Sequence, residues 1–330
     1  MKRERKIALG ERGLLSSGRK FAGAGFGVWP RRTIIAAMAA LLLLPIEVSD
    51  AGWLSDVFKS SSKQSKSPKH VASPKPHTAR LAARRPAASN SSASKPVAIC
   101  DPSKFRIVVD VGHTAASEGA TSAHNVAEFT FNLRLAQRIE QKLKADGFAE
   151  TRLLVTEGKA RPSLVKRVTA ANDLHADLFL SIHHDSVPDK LLEDWEFEGK
   201  KSHFSDRFSG YSVFVSHDNP DFKTSLAFAE LVAKEMKAEG LQYAKQYTLP
   251  IMGHYQHPLL DKENGVYSYD DLVVLKKTRM PAVLLEAGSI INRDEELQMG
   301  SHERRNIISS AVTTAVKEFC DPRWAILGPL

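Results

Sequence analysis

The chain has 330 residues, 46 Lys and Arg against 38 Asp and Glu, a formal net charge of +8 and a pI of 9.3. That length admits one or two domains. The basic excess lies before residue 101; residues 101–330 hold 28 Lys and Arg against 33 Asp and Glu, so the part able to fold is mildly acidic and excludes a nucleic-acid partner despite the high pI.

Residues 1–32 carry nine basic and two acidic residues, and Thr33–Ile46 is apolar apart from Thr33. Ser49-Asp50-Ala51 then offers small residues where a peptidase cuts. This pattern over 1–51 is that of a secretory signal peptide, and a retained membrane anchor is the weaker reading because a spanning helix needs roughly 20 apolar residues. Arg31-Arg32 ahead of the apolar run is compatible with Sec or twin-arginine export. Residues 52–99 are rich in Ser, Lys, Pro and Ala and bury too little to order themselves, so a basic disordered linker is expected. Two readings suit it: a soluble spacer, or a weak, screened contact with anionic envelope polymers or lipids.

The two cysteines, Cys100 and Cys320, bracket the next segment. In an exported chain they suggest a disulfide closing a loop of about 220 residues, worth on the order of 5 kcal/mol in the chain-entropy model; two buried free thiols are the alternative. No further cysteine stands near to complete a zinc site with them.

Within 100–320 the periodicity alternates. Arg106–Val111 reads as a strand and His124–Ala145 as an amphipathic helix ended by Asp146-Gly147; Leu153–Val155 is a strand, Ser163–Leu174 a helix, and Leu178–Ile182 a strand covered on both faces. Tyr211–Val215 follows as a strand, Lys223–Glu239 as a helix, then an irregular stretch, a short helix near Asp270–Lys277, the strand Ala282–Leu285 and a closing helix over Glu295–Phe319. The expectation is a single α/β domain over 100–320, a mostly parallel or mixed sheet of about six strands with helices on both faces, followed by a tail over 321–330. Ligands of such sheets sit beyond the strand C-termini.

His113, His183 and Glu286 all fall where an apolar strand runs out, and Glu128 opens a helix. Two imidazoles and a carboxylate are the donors of a catalytic zinc site with one open position, and a further carboxylate is the proton acceptor such a site uses. Each alone has a plainer reading, such as a surface loop histidine at His113 or a carboxylate complementing a helix dipole at Glu128. Their joint placement at one sheet edge favours a metal-dependent hydrolase.

The same residues carry a family resemblance. Ile107-Val-Val-Asp-Val-Gly-His113, Glu128, Arg167-Val-Thr-Ala-Ala-Asn172 leading into Ala176-Asp-Leu-Phe-Leu-Ser-Ile-His183, the Gly210–Val215 strand, and Met280-Pro-Ala-Val-Leu-Leu-Glu286-Ala-Gly with Asn292 resemble the Amidase_3 zinc N-acetylmuramoyl-L-alanine amidases across about 105–319. The resemblance implies one Zn2+ held by His113, Glu128 and His183, with Glu286 as catalytic carboxylate. It also implies a periplasmic or envelope enzyme, acting as a monomer on peptidoglycan, that cuts the amide between the lactyl group of N-acetylmuramic acid and L-alanine. His184, adjacent to a ligand, points to the other side of its strand and takes no metal role.

Departures from the family pattern are Thr114-Ala115-Ala116 in place of a glycine-rich run, Thr156-Glu157 for Thr-Arg, Asp185 for Asn and Ser289 for Phe; they bear on substrate preference. Asp189–Ser209, with Trp195, Phe197, Phe204 and Phe208, reads either as a lid or glycan-contacting loop or as an ordinary surface insertion. Pro250–Tyr269, with His254, Tyr255, His257, Tyr267 and Tyr269, is a candidate groove wall. No long helical insert able to occlude the site is evident between Gly240 and Met280. Two other classes stand beside the amidase reading: a non-catalytic wall-binding module, against which the presence of all four key residues counts, and a zinc peptidase or deacetylase acting on another envelope polymer.

Overall fold

Every residue of β1 (Ile107–Val111) is buried, which requires cover on both faces and paired strands on both edges. The computed structural model, which describes residues 99–323, meets both conditions. β1 pairs in parallel with β2 (Thr151–Leu154) and with β3 (Leu178–Asp185), and β3 pairs in parallel with β9 (Ala282–Ser289). β6 (Ser212–Val215) runs antiparallel beside β9. β8 (Val266–Ser268) lies parallel to β6, and β7 (Leu259–Asp261) closes the edge antiparallel to β8. The sheet is therefore mixed and seven-stranded, in the order β2-β1-β3-β9-β6-β8-β7. The leader over 1–51, the linker up to residue 98 and the tail from residue 324 lie outside the described residues. Among the described residues no helix is long and apolar enough to cross a membrane.

Two apolar layers cover the sheet. On one face α1 (Glu128–Ala145), α3 (Phe222–Ala238) and α6 (His302–Cys320) pack Leu135, Ile139, Val232 and Val312 onto Ile107, Val109, Leu180 and Leu285. On the other, α2 (Ala160–Asp173) and α4 (Val273–Lys276) bring Ala171, Val274 and Leu275 against Val108, Phe179 and Leu284. Each large aliphatic side chain so buried contributes about 1.5–3 kcal/mol relative to exposure. The alternation of buried residues between the two layers is the period-2 pleat acting on strands covered on both sides.

The chain passes from β1 through α1 to β2, then back across β1 through α2 to β3. The C-terminal ends of β1 and β3 thus flank a topological switch point, the crevice where open α/β sheets hold ligands.

Several boundaries differ from expectation, each for a local reason. The sheet has seven strands rather than about six because β7 and β8 both form within the stretch read as irregular and add to the five strands read in chain order. α1 begins at Glu128 rather than His124, since 122–127 is a tight loop closed by Ser122 N–H donating to the Val126 carbonyl (2.9 Å), with Asn125 at φ 61°. The closing helix is two helices, α5 (Arg293–Gly300) and α6, because Ser301 is extended and its Oγ accepts from the Arg304 N–H at 3.1 Å as an N-cap. Cys100 and Cys320 are disulfide-bonded, with Cα atoms 5.0 Å apart, and the Cys100 N–H donates to the Cys320 carbonyl at 2.9 Å. That bond joins the segment before β1 to the end of α6 and removes the free-thiol alternative.

Candidate active site

The strands carrying the site run further than their apolar residues do. β3 continues to Asp185 and β9 to Ser289, because ladder hydrogen bonds come from the backbone and do not require apolar side chains. His183 and Glu286 are consequently direct partners across the β3–β9 ladder, and both side chains line the same pocket. His113 follows β1 two residues on and adopts φ 66°, a left-handed conformation that costs an ordinary residue about 1–2 kcal/mol and turns the ring back over the sheet edge. Glu128, first residue of α1, is lifted to the same place by the loop before it.

These groups converge. His113 Nε2 lies 3.0 Å from Glu128 Oε2 and His183 Nδ1 lies 3.1 Å from Glu128 Oε1, with the imidazole centroids 4.9 Å apart. One donor atom from each of His113, Glu128 and His183 falls within 4.8 Å of the others. Burial holds the His183 ring neutral, its pKa down at about 4 despite the carboxylate beside it, and the neutral ring is the form that ligates a metal. Burial opposes ionisation of Glu128, yet the His113 and His183 rings together hold its carboxyl well below the usual range. Glu286 has the opposite balance. Burial first, then the nearby Asp185 and Glu128 carboxylates, push its pKa well above the ordinary value, and its Oε2 is buried without a hydrogen-bond partner. A two-nitrogen, one-oxygen donor set beside an unsatisfied carboxylate fits a catalytic zinc ion with an open position better than a closed structural site.

Two glycines make room for this geometry. A Cβ on Gly112 would lie 2.5 Å from His183 Nε2, and one on Gly119, at φ +81°, would lie 2.4 Å from Glu128 Oε2. The pocket has a volume of about 340 Å³. Its walls include Tyr247, Met252, His254, Tyr255, His257 and Tyr269.

The family model for N-acetylmuramoyl-L-alanine amidase, Amidase_3, matches residues 107–318. The chain belongs to this family. Its members are peptidoglycan hydrolases of the cell-wall amidase type. The putative N-acetylmuramoyl-L-alanine amidase of Buchnera aphidicola subsp. Baizongia pistaciae is 23% identical over 224 residues, covering 64% of this chain and 95% of that protein. The probable cell wall amidase LytH of Staphylococcus aureus is 26% identical over 213 residues, and there the match spans 57% of the relative's length. The crystal structure of the amidase Ami1 from Mycobacterium smegmatis shares the fold, with a TM-score of 0.51 and 19% identity over 68% of this chain and all of that one.

The remaining expectations for the amidase divide. His254, Tyr255, His257 and Tyr269 line the pocket, whereas Tyr267 is buried in the core with its hydroxyl on the Ala244 carbonyl. Asp189 and Lys190 reach the rim, but nothing from 191–209 lines the pocket. That stretch instead builds the hairpin of β4 (Glu193–Phe197) and β5 (Lys200–Phe204), whose aromatic face packs on the protein: Trp195 Nε1 donates to the Ala123 carbonyl at 2.9 Å, and Arg293 sits 3.8 Å over the Phe204 ring. Between Gly240 and Met280 the described residues form only 3₁₀ turns, β7, β8 and the four-residue α4. Asp185, read as a departure, accepts from Tyr247 Oη (2.6 Å) and Gln246 Nε2 (3.0 Å). Ser289 ends β9, where its N–H donates to Glu295 at 3.0 Å.

Arg167 and Asn132 escaped the sequence reading as site residues. Arg167, 1% exposed, donates through Nε to Thr156 Oγ1 (2.9 Å) and through its terminal nitrogen to the His113 carbonyl, and lies 3.6 Å from the buried Asp110. It thereby holds the left-handed residue that presents the first imidazole. Its signal was present: Leu164, Arg167, Val168 and Ala171 share one helical stripe, where a charge has no place without a partner.

Proposed function

We propose that this amidase is an exported enzyme of the periplasm or cell envelope that cleaves the amide joining the lactyl group of N-acetylmuramic acid to L-alanine. The observation that carries the mechanism is the convergence of His113, Glu128 and His183 beside Glu286. His113, Glu128 and His183 would hold one zinc ion. When bound, zinc polarises the scissile carbonyl and brings the pKa of a water towards about 7. Glu286, which lines the pocket, accepts the proton of the attacking water on its carboxylate and delivers it to the departing L-alanine nitrogen, which leaves as an amine. The raised pKa of Glu286 suits the second half of that transfer, because its conjugate acid persists long enough to protonate the leaving group. The aromatic and imidazole wall provides apolar surface for the stem peptide and screens the site from bulk water.

The leader pattern over 1–51 supports export by the Sec or twin-arginine route, and so does the Cys100–Cys320 disulfide, a bond that persists in oxidising compartments. The residues from 52 to 99 are proposed as a basic spacer between leader and enzyme.

The test is digestion of purified sacculi by the wild type and by Glu286→Gln, with and without a chelator, followed by mass analysis. Wild type should release peptides with a free L-alanine amine and leave glycan strands intact; chelation should stop this and added zinc restore it. Glu286→Gln should keep the metal and lose about 10²- to 10⁴-fold in rate. Products cut at another bond, or undiminished hydrolysis by Glu286→Gln, would overturn the mechanism.

A further inference from the structure

Glu128 is a metal-site carboxylate on the first turn of a helix, a position with no side-chain N-cap to steady it, since Ala127 precedes it. Its fixity comes from elsewhere. Asn132, one turn on and fully buried, donates from Nδ2 to Glu128 Oε1 at 3.0 Å and to the Gly112 carbonyl at 3.2 Å. Both partners only accept, so the amide orientation of Asn132 is determined: Nδ2 faces them and Oδ1 faces away. Oδ1 lies 2.8 Å from Nδ1 of His184, and because Oδ1 only accepts, His184 must carry its proton on Nδ1. The His184 backbone N–H also lies 3.3 Å from Glu128 Oε1, and the Ala120 N–H donates to Glu128 Oε2 at 3.1 Å.

We infer that Asn132 and His184 are positioning residues that hold Glu128 in its metal-binding orientation. The inference rests on the zinc reading of the site. The chain of donors runs one way, from His184 Nδ1–H to Asn132 Oδ1 and from Asn132 Nδ2–H to the carboxylate. It fixes Oε1 by neutral donors and directs Oε2 toward His113 Nε2, 3.0 Å away. His184 and His183, adjacent on β3, thus serve one site from opposite faces of the sheet, the first through Asn132 on α1 and the second directly. Partners that orient a ligating carboxylate typically govern 10- to 100-fold in metal affinity.

The experiment measures zinc dissociation constants by competition with a chromogenic chelator, and melting temperatures of apo and zinc-loaded protein, for wild type, Asn132→Ala, His184→Ala and His184→Gln in the full chain. Asn132→Ala should bind zinc 10- to 100-fold more weakly, which at fixed saturating zinc removes about 1.4–2.7 kcal/mol of zinc-dependent stabilisation. His184→Gln, which retains an N–H donor for Asn132 Oδ1, should keep more affinity than His184→Ala. A merely structural role would lower both melting temperatures together and leave the zinc-induced increment unchanged, and that result overturns the inference. Should Asn132→Ala fail to fold, the two His184 variants make the same comparison, and equal zinc increments in both of them and wild type overturn it. A wild-type chain that binds no zinc overturns the metal reading and this inference with it; wild-type binding unaltered by Asn132→Ala overturns the inference alone.

Discussion

Replacing Gly112 by alanine tests the second imidazole without touching it. The added Cβ would lie 2.5, 2.6 and 2.7 Å from Nε2, Cε1 and Cδ2 of His183, where ordinary contact begins at 3.4 Å. The ring must therefore retreat by about 0.9 Å. Its far side is already engaged, with Nδ1 3.1 Å from Glu128 Oε1 and the His113 ring 4.9 Å away, so the retreat carries Nδ1 out of register. Metal–ligand distances tolerate only about 0.2 Å, and a displacement near 1 Å costs on the order of 10²-fold in rate. Gly112 has no left-handed φ, so alanine adds no backbone strain, and overpacking limits the loss of apo stability to about 1–3 kcal/mol. Gly147→Ala is the converse control: φ is +97° and nothing lies within 4 Å of the added carbon, so stability falls by about 1–2 kcal/mol while zinc binding is untouched. Chelator competition and hydrolysis of sacculi read both effects. Wild-type zinc affinity and rate in Gly112→Ala would refute the assignment of His183 as a ligand in this geometry.

Two further outcomes follow from buried groups. Arg167→Ala leaves Asp110, 0% exposed, without its cation and should cost about 3–5 kcal/mol in urea unfolding, while Arg167→Met with Asp110→Asn should recover much of it; equal losses in both variants would contradict the pairing. His257 is held neutral by burial, its pKa lowered from 6.5 to about 4 with its Nδ1 on the Ser268 carbonyl at 3.1 Å. The folded state thus binds its proton less readily than the unfolded chain, so the stability it contributes is full above pH 6.5 and is lost as pH falls towards 4. Urea unfolding of apo wild type from pH 7.5 to 4.5 should decline more steeply than that of His257→Gln, and identical slopes would count against the burial account.

The legible part of this molecule was the part written in apolar runs. β1, β3 and β9 are dense in Val, Leu and Ile, so the polar residues ending those runs, His113, His183 and Glu286, stood out and proved to be neighbours. β4 and β5 read Glu-Asp-Trp-Glu-Phe and Lys-Lys-Ser-His-Phe, polar strands whose pairing owes more to the protein beneath them than to their own pattern, which by itself reads as loop. Asn132 and Arg167 were missed for a different reason. Periodicity marks buried positions by their apolar residues, and a buried amide or guanidinium is recognised only once its partners are known. For Asn132 the spacing was available, four residues after Glu128 on one helical face.

The strand order has a consequence for how this site tolerates change. His183 and Glu286 are bound to each other's spacing by backbone ladder bonds between β3 and β9, and His113 leaves β1 on the other side of β3. Two of the four groups, His183 and Glu286, are therefore gauged by the sheet itself, as marks are on a ruler, while His113 is set just past β1 by its left-handed turn and by Arg167. Glu128 alone arrives on a helix whose start depends on the loop before it and on the amide beside it. On the zinc reading proposed above, sequence drift in that loop and in α1 tunes metal affinity while the spacing of His183 and Glu286 stays fixed.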